Sequence, residues 1–349
     1  MDVNQHQRFA IADRSYLNLV KRDITKLAES YGFSEGEIGK INIIVSEIAT
    51  NLVHHTTKGG EILVKPIGTD VKDIKGIEIL SIDQGPGMTD PERLMEDGVS
   101  TYGSAGEGLG AIKRQSSFFD YYTTPELGTV ILSRIFKPVK HSLIKLKPGR
   151  LEIGSIMVAK NGETLCGDGW FYQPTDNHDY ILALDGLGHG PEANEASSQG
   201  IESFRKIPAA SPTDILRQIH NDIRRTRGAV GAVVRINDND SELDFCGIGN
   251  IAGKIFSANG SNTIGVTKNL ISYNGILGHN IPNSLHNQQT EWHTGKLMVL
   301  HSDGIKSRWD LSRYPDLHRH DPSMIAAVIY RDYNRGTDDT TVIVAKPKI

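Results

Sequence analysis

The chain has 349 residues, of which 38% are hydrophobic and 23% are charged, and its formal net charge is −4. This length favours two domains over one, and no basic tract indicates nucleic-acid binding. The two cysteines provide no disulfide framework, and no apolar run approaches the ~18 residues of a membrane span. We therefore expect a cytoplasmic protein that binds neither nucleic acid nor a membrane.

The first half of the chain alternates helical and extended patterns. Apolar residues recur at helical spacing in residues 35–55, which predicts a helix with one buried face. In chain order, the predictions are helices over 16–31 and 35–55, strands over 61–66 and 76–82, helices over 91–98 and 108–118, and a strand over 128–136. This alternation predicts mixed α/β structure.

A domain boundary follows the first half. Residues 137–150 carry two prolines and five Lys or Arg residues after a strand-like run. This composition predicts an N-terminal domain over 1–138, a linker over 139–150 and a C-terminal domain over 151–349. In the C-terminal domain, the predictions are strands over 151–159, 179–185, 229–236, 242–248, 251–257, 296–301 and 340–345, and helices over 190–205, 212–227 and 321–334. Early and late strands that bracket paired helices suit a layered sandwich.

Three polar residues follow one face of the predicted helix over 35–55. Glu47, Asn51 and His55 are four residues apart and lie beside the apolar stripe. Packing alone poorly explains a buried Asn with a carboxylate one helical turn earlier, because each of the two side chains needs a polar partner. The Mg²⁺ of bound ATP would supply one, and Glu47 would then act as general base on an attacking hydroxyl. The same spacing also fits a surface pair on an amphipathic helix.

Two glycine-rich segments come next. A predicted strand ends in Asp83, whose carboxylate would accept a hydrogen bond from an adenine amine, and Gly85 and Gly87 would let the backbone approach a ligand. A later segment with Gly108 and Gly110 runs into a predicted helix, whose N-terminus would hold phosphates. Neither a P-loop nor a Rossmann fingerprint after a strand is present.

Residues 40–136 resemble the GHKL ATPases, and among them the anti-sigma-factor serine kinases. The matching segments are Glu47-Ile-Ala-Thr-Asn51-Leu-Val-His-His55, Asp83-Gln-Gly85-Pro-Gly87, Gly106-Glu-Gly108-Leu-Gly110 and Gly128-Thr129. The resemblance implies a GHKL (Bergerat) α/β sandwich that binds ATP and Mg²⁺ and phosphorylates a Ser or Thr of a STAS-domain partner. It also implies that Glu47 is the base, Asn51 the Mg²⁺ ligand and Asp83 the adenine contact, while the glycines and Thr129 surround the nucleotide.

Four aspartate motifs in the second half lie at strand ends or turns. They are Gly167-Asp168, Asp185-Gly186-Leu-Gly188-His189-Gly190, Ser302-Asp303-Gly304 and Asp338-Asp339. A single Asp-Gly fits a turn, but several carboxylates that converge repel one another unless a cation lies between them. Oxygen ligands without Cys or clustered His favour Mg²⁺ or Mn²⁺ over Zn²⁺, and two such ions would hold a phosphoryl oxygen. The segment His318-Arg-His320-Asp321 is interpreted as a solvated loop.

Residues 151–346 resemble the metal-dependent PPM serine/threonine phosphatases of the bacterial SpoIIE branch, with Asp185-Gly186-Leu-Gly188-His189-Gly190 as the strongest match. The resemblance implies an α-β-β-α sandwich, so the whole chain would be a two-domain α+β protein. It implies that Asp185 and Asp303 are catalytic metal ligands. Further implied ligands are Asp168, Asp338, the adjacent Asp339 and the Gly186 carbonyl. The N-terminal phosphate-binding Arg of the eukaryotic branch has no clear counterpart, which suits the bacterial branch; Lys160, Arg205 and His189 are candidates to replace it, and the sequence does not decide among them.

Three functions fit these motifs. The first is a bifunctional switch that phosphorylates and dephosphorylates a STAS-domain anti-anti-sigma or stressosome partner. The second is a phosphatase gated by a nucleotide- or partner-sensing GHKL domain that transfers no phosphate. The third is a non-enzymatic anti-sigma factor that sequesters a sigma factor. Both motif sets are intact, so the bifunctional switch is the prediction.

Overall fold

The computed structural model describes residues 2–56, 59–95, 108–138, 149–207, 210–237, 240–258 and 264–348. The chain divides into two compact units whose boundary falls between residues 144 and 145, outside the described residues. Among the described helices, none is both long and apolar enough to cross a membrane.

The N-terminal unit pairs one five-stranded sheet with helices. Its strands are Gln7–Ile11 (β1), Gly60–Gly68 (β2), Ile74–Asp83 (β3), Phe118–Thr124 (β4) and Gly128–Phe136 (β5), and its helices are Tyr16–Ser30 (α1), Glu35–His55 (α2) and Gly108–Gln115 (α3). The strands pair in the order β1-β2-β3-β5-β4, antiparallel throughout. Ile24, Ile48 and Ile112 of the helices pack with Ile62 and Ile79 of the sheet in one core. The predicted α/β sandwich is confirmed.

Helix α2 begins where the sequence supplies a cap. The Ser34 hydroxyl accepts a hydrogen bond from the Glu37 N–H at 3.4 Å, and the Glu37 carboxylate accepts one from the Ser34 N–H at 2.6 Å. This reciprocal pair satisfies two donors that a helix start leaves open. The apolar stripe of α2, which includes Ile44, is fully buried in the core. Glu47 and Asn51 are therefore held beside the core rather than on the free surface.

The helix predicted over 108–118 is shorter than expected. It ends at Gln115, and the edge strand β4 begins at Phe118. Ser116 takes the chain out of the helix, because its hydroxyl donates to the Ile112 carbonyl at 2.7 Å and also bonds the Ser133 hydroxyl of β5 at 2.7 Å. A contact with another element therefore overrides the local helical pattern.

The helix predicted over 91–98 is also incorrect within the described residues. Only a 3₁₀ turn at Arg93–Met95 forms there, and residues 96–98 lie outside the described ranges. The backbone N–H of Arg93 donates to the Asp90 carboxylate at 3.2 Å. Such side-chain bonds to the backbone favour turns over longer helices.

The C-terminal unit contains two five-stranded antiparallel sheets. Its strands are Leu151–Val158 (β6), Asp168–Pro174 (β7), Asp179–Gly186 (β8), Ala229–Asn237 (β9), Glu242–Ile248 (β10), Ala252–Ala258 (β11), Ile264–Leu270 (β12), Gln288–Glu291 (β13), Lys296–His301 (β14) and Thr340–Pro347 (β15), and its helices are Pro191–Lys206 (α4), Pro212–Asp222 (α5) and Pro322–Tyr333 (α6). The first sheet has the order β13-β10-β9-β8-β7 and the second the order β12-β11-β14-β15-β6.

The two sheets pack face to face, with helices on both outer sides. In β8, Ile181 and Ala183 enter the core between the sheets, where they join Met298 of the second sheet. Leu182 and Leu184 join the core that α4 and α5 form on the outer face. Helix α6 packs on the other sheet, against β6 and β15. The predicted α-β-β-α sandwich is confirmed, and burial on both faces explains why β8 is a continuous apolar run.

Helix α5 is shorter than the predicted helix over 212–227, because it ends at Asp222. The Thr226 N–H then donates to the Ile223 carbonyl at 3.0 Å, and Gly228 adopts a φ of 82° before β9 begins. Glycine adopts this conformation at little cost, whereas other residues are strained by it. The chain therefore turns sharply out of α5 instead of extending the helix.

Buried charges join three strands of the N-terminal sheet. Strand register places Glu78 of β3 between Lys65 of β2 and Arg134 of β5. The Arg134 Nη2 lies 2.7 Å from Glu78 Oε2, and the Lys65 Nζ and His6 Nε2 lie 3.5 Å and 3.4 Å from Oε1. Burial alone would raise the pKa of Glu78, but these cations hold the pKa well below its ordinary value.

Replacement of Glu78 by Gln should therefore destabilise the N-terminal unit by about 3–5 kcal/mol, because the substitution leaves buried cations uncompensated. Hydrogen exchange of peptides from β2 and β3 in the full chain measures the loss. Glu61→Gln is the matched control, since the ion pair of Glu61 with Arg8, at 3.8 Å, is partly exposed, and such pairs contribute about 0–1 kcal/mol. Equal protection in Glu78→Gln and Glu61→Gln would contradict this role.

Candidate functional site

A cavity of about 340 Å³ lies in the N-terminal unit, between α2, the ends of β3 and β5, and the start of α3. It brings together residues that lie far apart in the sequence. Six of the predicted nucleotide-site residues line it: Glu47, Asn51, Asp83, Gly87, Gly108 and Thr129. The cavity therefore has the composition that the sequence motifs predict for a nucleotide pocket.

Two backbone N–H groups orient the Asp83 carboxylate on the cavity wall. Its Oδ1 accepts hydrogen bonds from the N–H of Gly85 at 2.7 Å and of Thr129 at 3.2 Å. A Cβ on Gly128, whose φ is 93°, would lie 2.1 Å from the Asp83 carbonyl. Glycine is therefore required for β5 to begin this close to β3. The result is a carboxylate fixed in one orientation, as recognition of an amine donor requires.

Glu47 and Asn51 form the opposite wall, one helical turn apart on α2. The start of α3 closes over them, since a Cβ on Gly108 would lie 2.9 Å from Glu47 Oε2 and 3.7 Å from Asn51 Oδ1. A helix start presents open N–H donors and a partial positive charge. The pocket can therefore accept an anion such as a phosphate beside a carboxylate and an amide.

The remaining predicted residues of the first site have different environments. Gly85 adjoins Asp83 without lining the cavity, Gly110 is buried within α3, and Gly106 lies outside the described residues. Burial, together with His54, lowers the pKa of His55, although Asp83 acts in the opposite direction. These effects favour the neutral form of His55 beside the cavity.

In the C-terminal unit, two aspartates face each other across β7 and β8. Antiparallel register places Asp168 directly opposite Asp185, and such residues have Cβ atoms about 4.5–5.5 Å apart. The Gly186 N–H donates to the Gly167 carbonyl at 3.1 Å. A Cβ on Gly186 would lie 2.1 Å from the Ala193 carbonyl, so only glycine allows α4 to pass this close to the end of β8.

Ser302 connects this pair to the second sheet. Its hydroxyl donates to Asp168 Oδ2 at 2.7 Å and accepts the Thr341 N–H at 3.0 Å. The next residue, Asp303, accepts a hydrogen bond on Oδ2 from the Asn250 Nδ2 at 2.8 Å. Ends of strands from both sheets thus converge, and they bring Asp303 to the edge that carries Asp168.

Asp338 and Asp339, which precede β15, have different hydrogen bonds. Asp339 is 3% exposed, and its two oxygens accept the N–H of Lys160 at 2.8 Å and of Gly167 at 3.0 Å. Asp338 is partly exposed, and its Oδ1 accepts the Asp339 N–H at 2.9 Å. Asp339 therefore ties the loop between β6 and β7 to β15, whereas Asp338 presents its carboxylate at the surface of the site.

We call Asp168, Asp185, Asp303, Asp338 and Asp339 the acidic cluster. Burial and the other four carboxylates raise the pKa of Asp185 well above its ordinary value. Burial and the charges of Asp339 and Asp303 raise the pKa of Asp168 to about 7, although hydroxyl hydrogen bonds oppose this shift. Burial and Asp338 also raise the pKa of Asp303, against the opposing charge of Arg335. The carboxylates are therefore costly to ionise together.

Divalent cations fit the acidic cluster. Asp168 Oδ1 is buried without a hydrogen-bond partner among the described residues, and a nearby cation would favour the ionised form of every carboxylate. Carboxylate oxygens are the ligands that hard divalent cations such as Mg²⁺ prefer.

Two polar residues at this site escape sequence analysis. Asn250 follows Gly249 in the turn between β10 and β11, and a Gly-Asn pair predicts only a turn. Glu163 lies in the loop between β6 and β7, with its Oε1 2.7 Å from the His189 Nδ1 of the glycine-rich motif.

The segment His318-Arg-His320-Asp321, interpreted as a solvated loop, ends in the cap of α6. The Asp321 carboxylate accepts a hydrogen bond from the Ser323 N–H at 2.8 Å.

Comparison with known proteins gives both units a family. Residues 11–134 match the model of the histidine kinase-like ATPase domain, and residues 175–348 match that of stage II sporulation protein E (SpoIIE). The chain joins a histidine kinase-like ATPase domain to a SpoIIE phosphatase domain. Both family predictions made from the sequence are confirmed.

Individual relatives agree with this assignment. The serine/threonine-protein kinase RsbT of Bacillus subtilis (strain 168) is 35% identical over 105 residues, which is 30% of this chain and 77% of RsbT. The phosphoserine phosphatase RsbX of the same organism is 23% identical over 161 residues, which is 46% of this chain and 74% of RsbX. A solved chain from work on the bacterial stressosome as a modular system for secondary messenger signalling is 33% identical, with a TM-score of 0.50, and covers 56% of this chain and 99% of its own.

The raised pKa of Asp168 predicts how the metal-free SpoIIE domain responds to pH. Because the folded-state pKa of about 7 exceeds the ordinary 3.8, the folded state holds a proton that the unfolded state has released. Through Asp168, stability should therefore fall as the pH rises from about 4 to about 7, by at most about 1.4 kcal/mol per pH unit for this one group. Thermal unfolding of the full chain in EDTA, followed by tryptophan fluorescence, measures this trend in the SpoIIE domain, which holds Trp170, Trp292 and Trp309.

Asp168→Asn should reduce this pH dependence, because Asn does not titrate and the substitution also removes one of the charges that raise the pKa of Asp185. Asp316→Asn is the control, since Asp316 makes only an exposed pair with Arg319. An identical pH slope in wild type and Asp168→Asn would show that Asp168 does not carry the linkage.

Proposed function

We propose that the protein is a partner-switching regulator whose SpoIIE domain removes phosphate from a phosphoserine or phosphothreonine of a STAS-domain partner. The observation that carries this proposal is the acidic cluster, in which strand ends of both sheets bring carboxylates of raised pKa to one edge. The similarity to RsbX, a phosphoserine phosphatase, supports the choice of phosphoester. The similarity to RsbT and to a stressosome chain supports a STAS-domain partner of the anti-anti-sigma or stressosome type.

In this proposal, Asp185, Asp303 and Asp338, with Asp168 and the Gly186 carbonyl, hold Mg²⁺ or Mn²⁺. Ions bound there would supply Lewis-acid activation of the phosphoester and of the attacking water. The surrounding residues keep the carboxylates in place. Their hydrogen bonds are those of Asn250 to Asp303, Ser302 to Asp168, and the Lys160 and Gly167 N–H groups to Asp339.

We propose His189 as the proton donor to the leaving serine oxygen. Its Nδ1 is paired with Glu163 Oε1 at 2.7 Å, which fixes the ring orientation. The imidazole is 45% exposed, in the loop that directly follows Asp185 and Gly186. A histidine oriented by a carboxylate is a common general acid, because the imidazole can both take up and release a proton. The leaving alkoxide would take a proton from this ring as the bond to phosphorus breaks.

We further propose that the ATPase domain phosphorylates the same kind of partner. Asp83 would contact adenine, Asn51 would bind the Mg²⁺ of ATP, and Glu47 would take the proton of the attacking Ser or Thr hydroxyl. The cavity supports this, because Glu47 and Asn51 line it together beside the start of α3. The 35% identity to the kinase RsbT supports phosphate transfer rather than nucleotide binding alone.

The phosphatase step can be tested with the full chain, Mn²⁺ and a phosphorylated STAS-domain protein. Asp185→Asn should lower phosphate release by more than about a hundredfold, whereas Asn250→Ala, which only loses a bond that orients Asp303, should lower it by about ten- to a hundredfold. Asp316→Asn should behave as wild type. Phosphate release that is equal in wild type and Asp185→Asn would rule out the acidic cluster as the phosphatase site.

The kinase step requires transfer from ATP to an unphosphorylated STAS-domain protein in the Asp185→Asn background, which prevents removal of the product. There, Glu47→Gln should abolish transfer while ATP binding persists, because it removes the base and leaves the pocket intact. Asn51→Ala should weaken Mg²⁺-dependent ATP binding. Glu29→Gln on the exposed side of α1 serves as the control.

If Glu47→Gln transfers phosphate at the wild-type rate, Glu47 is not the base. If no variant with an intact pocket transfers phosphate, the ATPase domain senses nucleotide and gates the phosphatase.

A further inference from the structure

An arginine continues the strand pairing at the end of the acidic cluster. Strands β8 and β9 pair Asp185 with Val230 and Gly186 with Ala229. The pairing extends one step further, since the Leu187 N–H donates to the Gly228 carbonyl at 3.0 Å. Arg227 therefore lies beside Gly188, immediately past the strand end that carries Asp185.

The backbone at Arg227 is held firmly. Its carbonyl accepts a hydrogen bond from the His279 Nε2 at 2.8 Å, and the Gly228 N–H donates to the Thr226 hydroxyl at 3.0 Å. Ala229 exchanges backbone bonds with Leu277 at 3.1 and 2.8 Å. Two segments thus fix the loop between α5 and β9, which gives the arginine a defined position next to the glycine-rich loop.

The Arg227 guanidinium occupies the space that a side chain at Gly188 would need. A Cβ at Gly188, whose φ is 89°, would lie 2.9 Å from the Arg227 Nη1. The Nη2 forms an ion pair with Glu192, in which the two side chains are 50% and 63% exposed. Exposed ion pairs contribute little, because water screens both charges. The guanidinium is therefore accessible, and an incoming anion can replace Glu192 at small cost.

A second arginine at the cluster is engaged differently. The Arg335 Nη1 donates to the Asp303 carbonyl at 3.1 Å, and its N–H donates to the Gly304 carbonyl at 2.8 Å. Arg335 thus supports the loop that carries Asp303. Arg227 has its charged partner on the exposed first turn of α4 instead, so it is better placed to receive a ligand.

We propose that Arg227 binds the phosphoryl oxygens of the substrate, and that Glu192 occupies the guanidinium until the substrate arrives. This inference rests on the proposed phosphatase function of the acidic cluster. A planar guanidinium donates two parallel hydrogen bonds to a phosphate, which a lysine does not. Arg227 thereby supplies a positive charge that an incoming phosphate can reach, and it does so from a loop remote in sequence from Lys160, Arg205 and His189.

The test uses the full chain with Mn²⁺, p-nitrophenyl phosphate as substrate and inorganic phosphate as inhibitor. Arg227→Gln should raise KM and the inhibition constant of phosphate about tenfold, with a smaller change in kcat, because a charge-assisted contact to the bound phosphate is lost. Arg227→Lys should fall between Arg227→Gln and wild type. Glu192→Gln should lower both constants, since it removes the competing carboxylate. Arg225→Gln, an equal charge change at an exposed position of the same loop, should leave them unchanged.

The outcomes separate this inference from the proposed function. If wild type hydrolyses the substrate and Arg227→Gln keeps the wild-type KM and phosphate inhibition constant, the role of Arg227 is refuted and the phosphatase stands. If Arg227→Gln and Arg225→Gln change KM and the phosphate inhibition constant equally, the change is due to overall charge, and the role of Arg227 is also refuted. A wild type that releases no phosphate with Mn²⁺ overturns the phosphatase proposal and the inference with it. Glu192→Gln keeps the inference falsifiable if the arginine variants fail to fold.

Discussion

The fold of the C-terminal unit has to accommodate repulsion among the carboxylates of the acidic cluster. Register across β7 and β8 brings Asp168 and Asp185 together, and the Ser302 hydroxyl adds the second sheet to the same edge. The fold gains nothing from this arrangement by itself, because burial and neighbouring charges raise the pKa of these groups. Clustered groups with perturbed pKa values mark functional sites more often than structural ones. A cation bound among the carboxylates would attract each of them and so offset their mutual repulsion.

The ATPase domain has a cavity that, in the proposal, receives the anionic phosphates of a nucleotide. Its cavity has Glu47 and Asn51 on α2 and Asp83 at the end of β3, with the start of α3 between them. Glycines matter here for space: Gly128 lets β5 start beside Asp83, and Gly108 lets α3 approach Glu47. In the proposal, one unit would offer a helix start and an amide to a nucleotide, and the other would offer carboxylates to metal ions.

Sequence patterns predict the buried elements and miss the peripheral ones. Central strands such as β3, β8 and β14 are apolar runs that can be read directly, and the motifs of both sites lie at their ends. The missed strands β1, β4, β7, β12 and β13 are all at sheet edges, where one side is open and few apolar residues are needed. Sequence patterns also do not identify Asn250, Glu163 and Arg227, because strand register and long-range loop contacts determine their positions. A local sequence pattern contains no information on register or on long-range contacts.

In the proposal, one chain adds phosphate to a STAS-domain partner and removes phosphate from the same kind of partner. The decisive measurement is the intact mass of a STAS-domain protein over time, incubated with the full chain, ATP, Mg²⁺ and Mn²⁺. Asp185→Asn should accumulate the singly phosphorylated partner, wild type should hold it at a lower steady level, and Glu47→Gln should produce none. Identical accumulation with wild type and Asp185→Asn would show that the chain does not remove the phosphate that it adds.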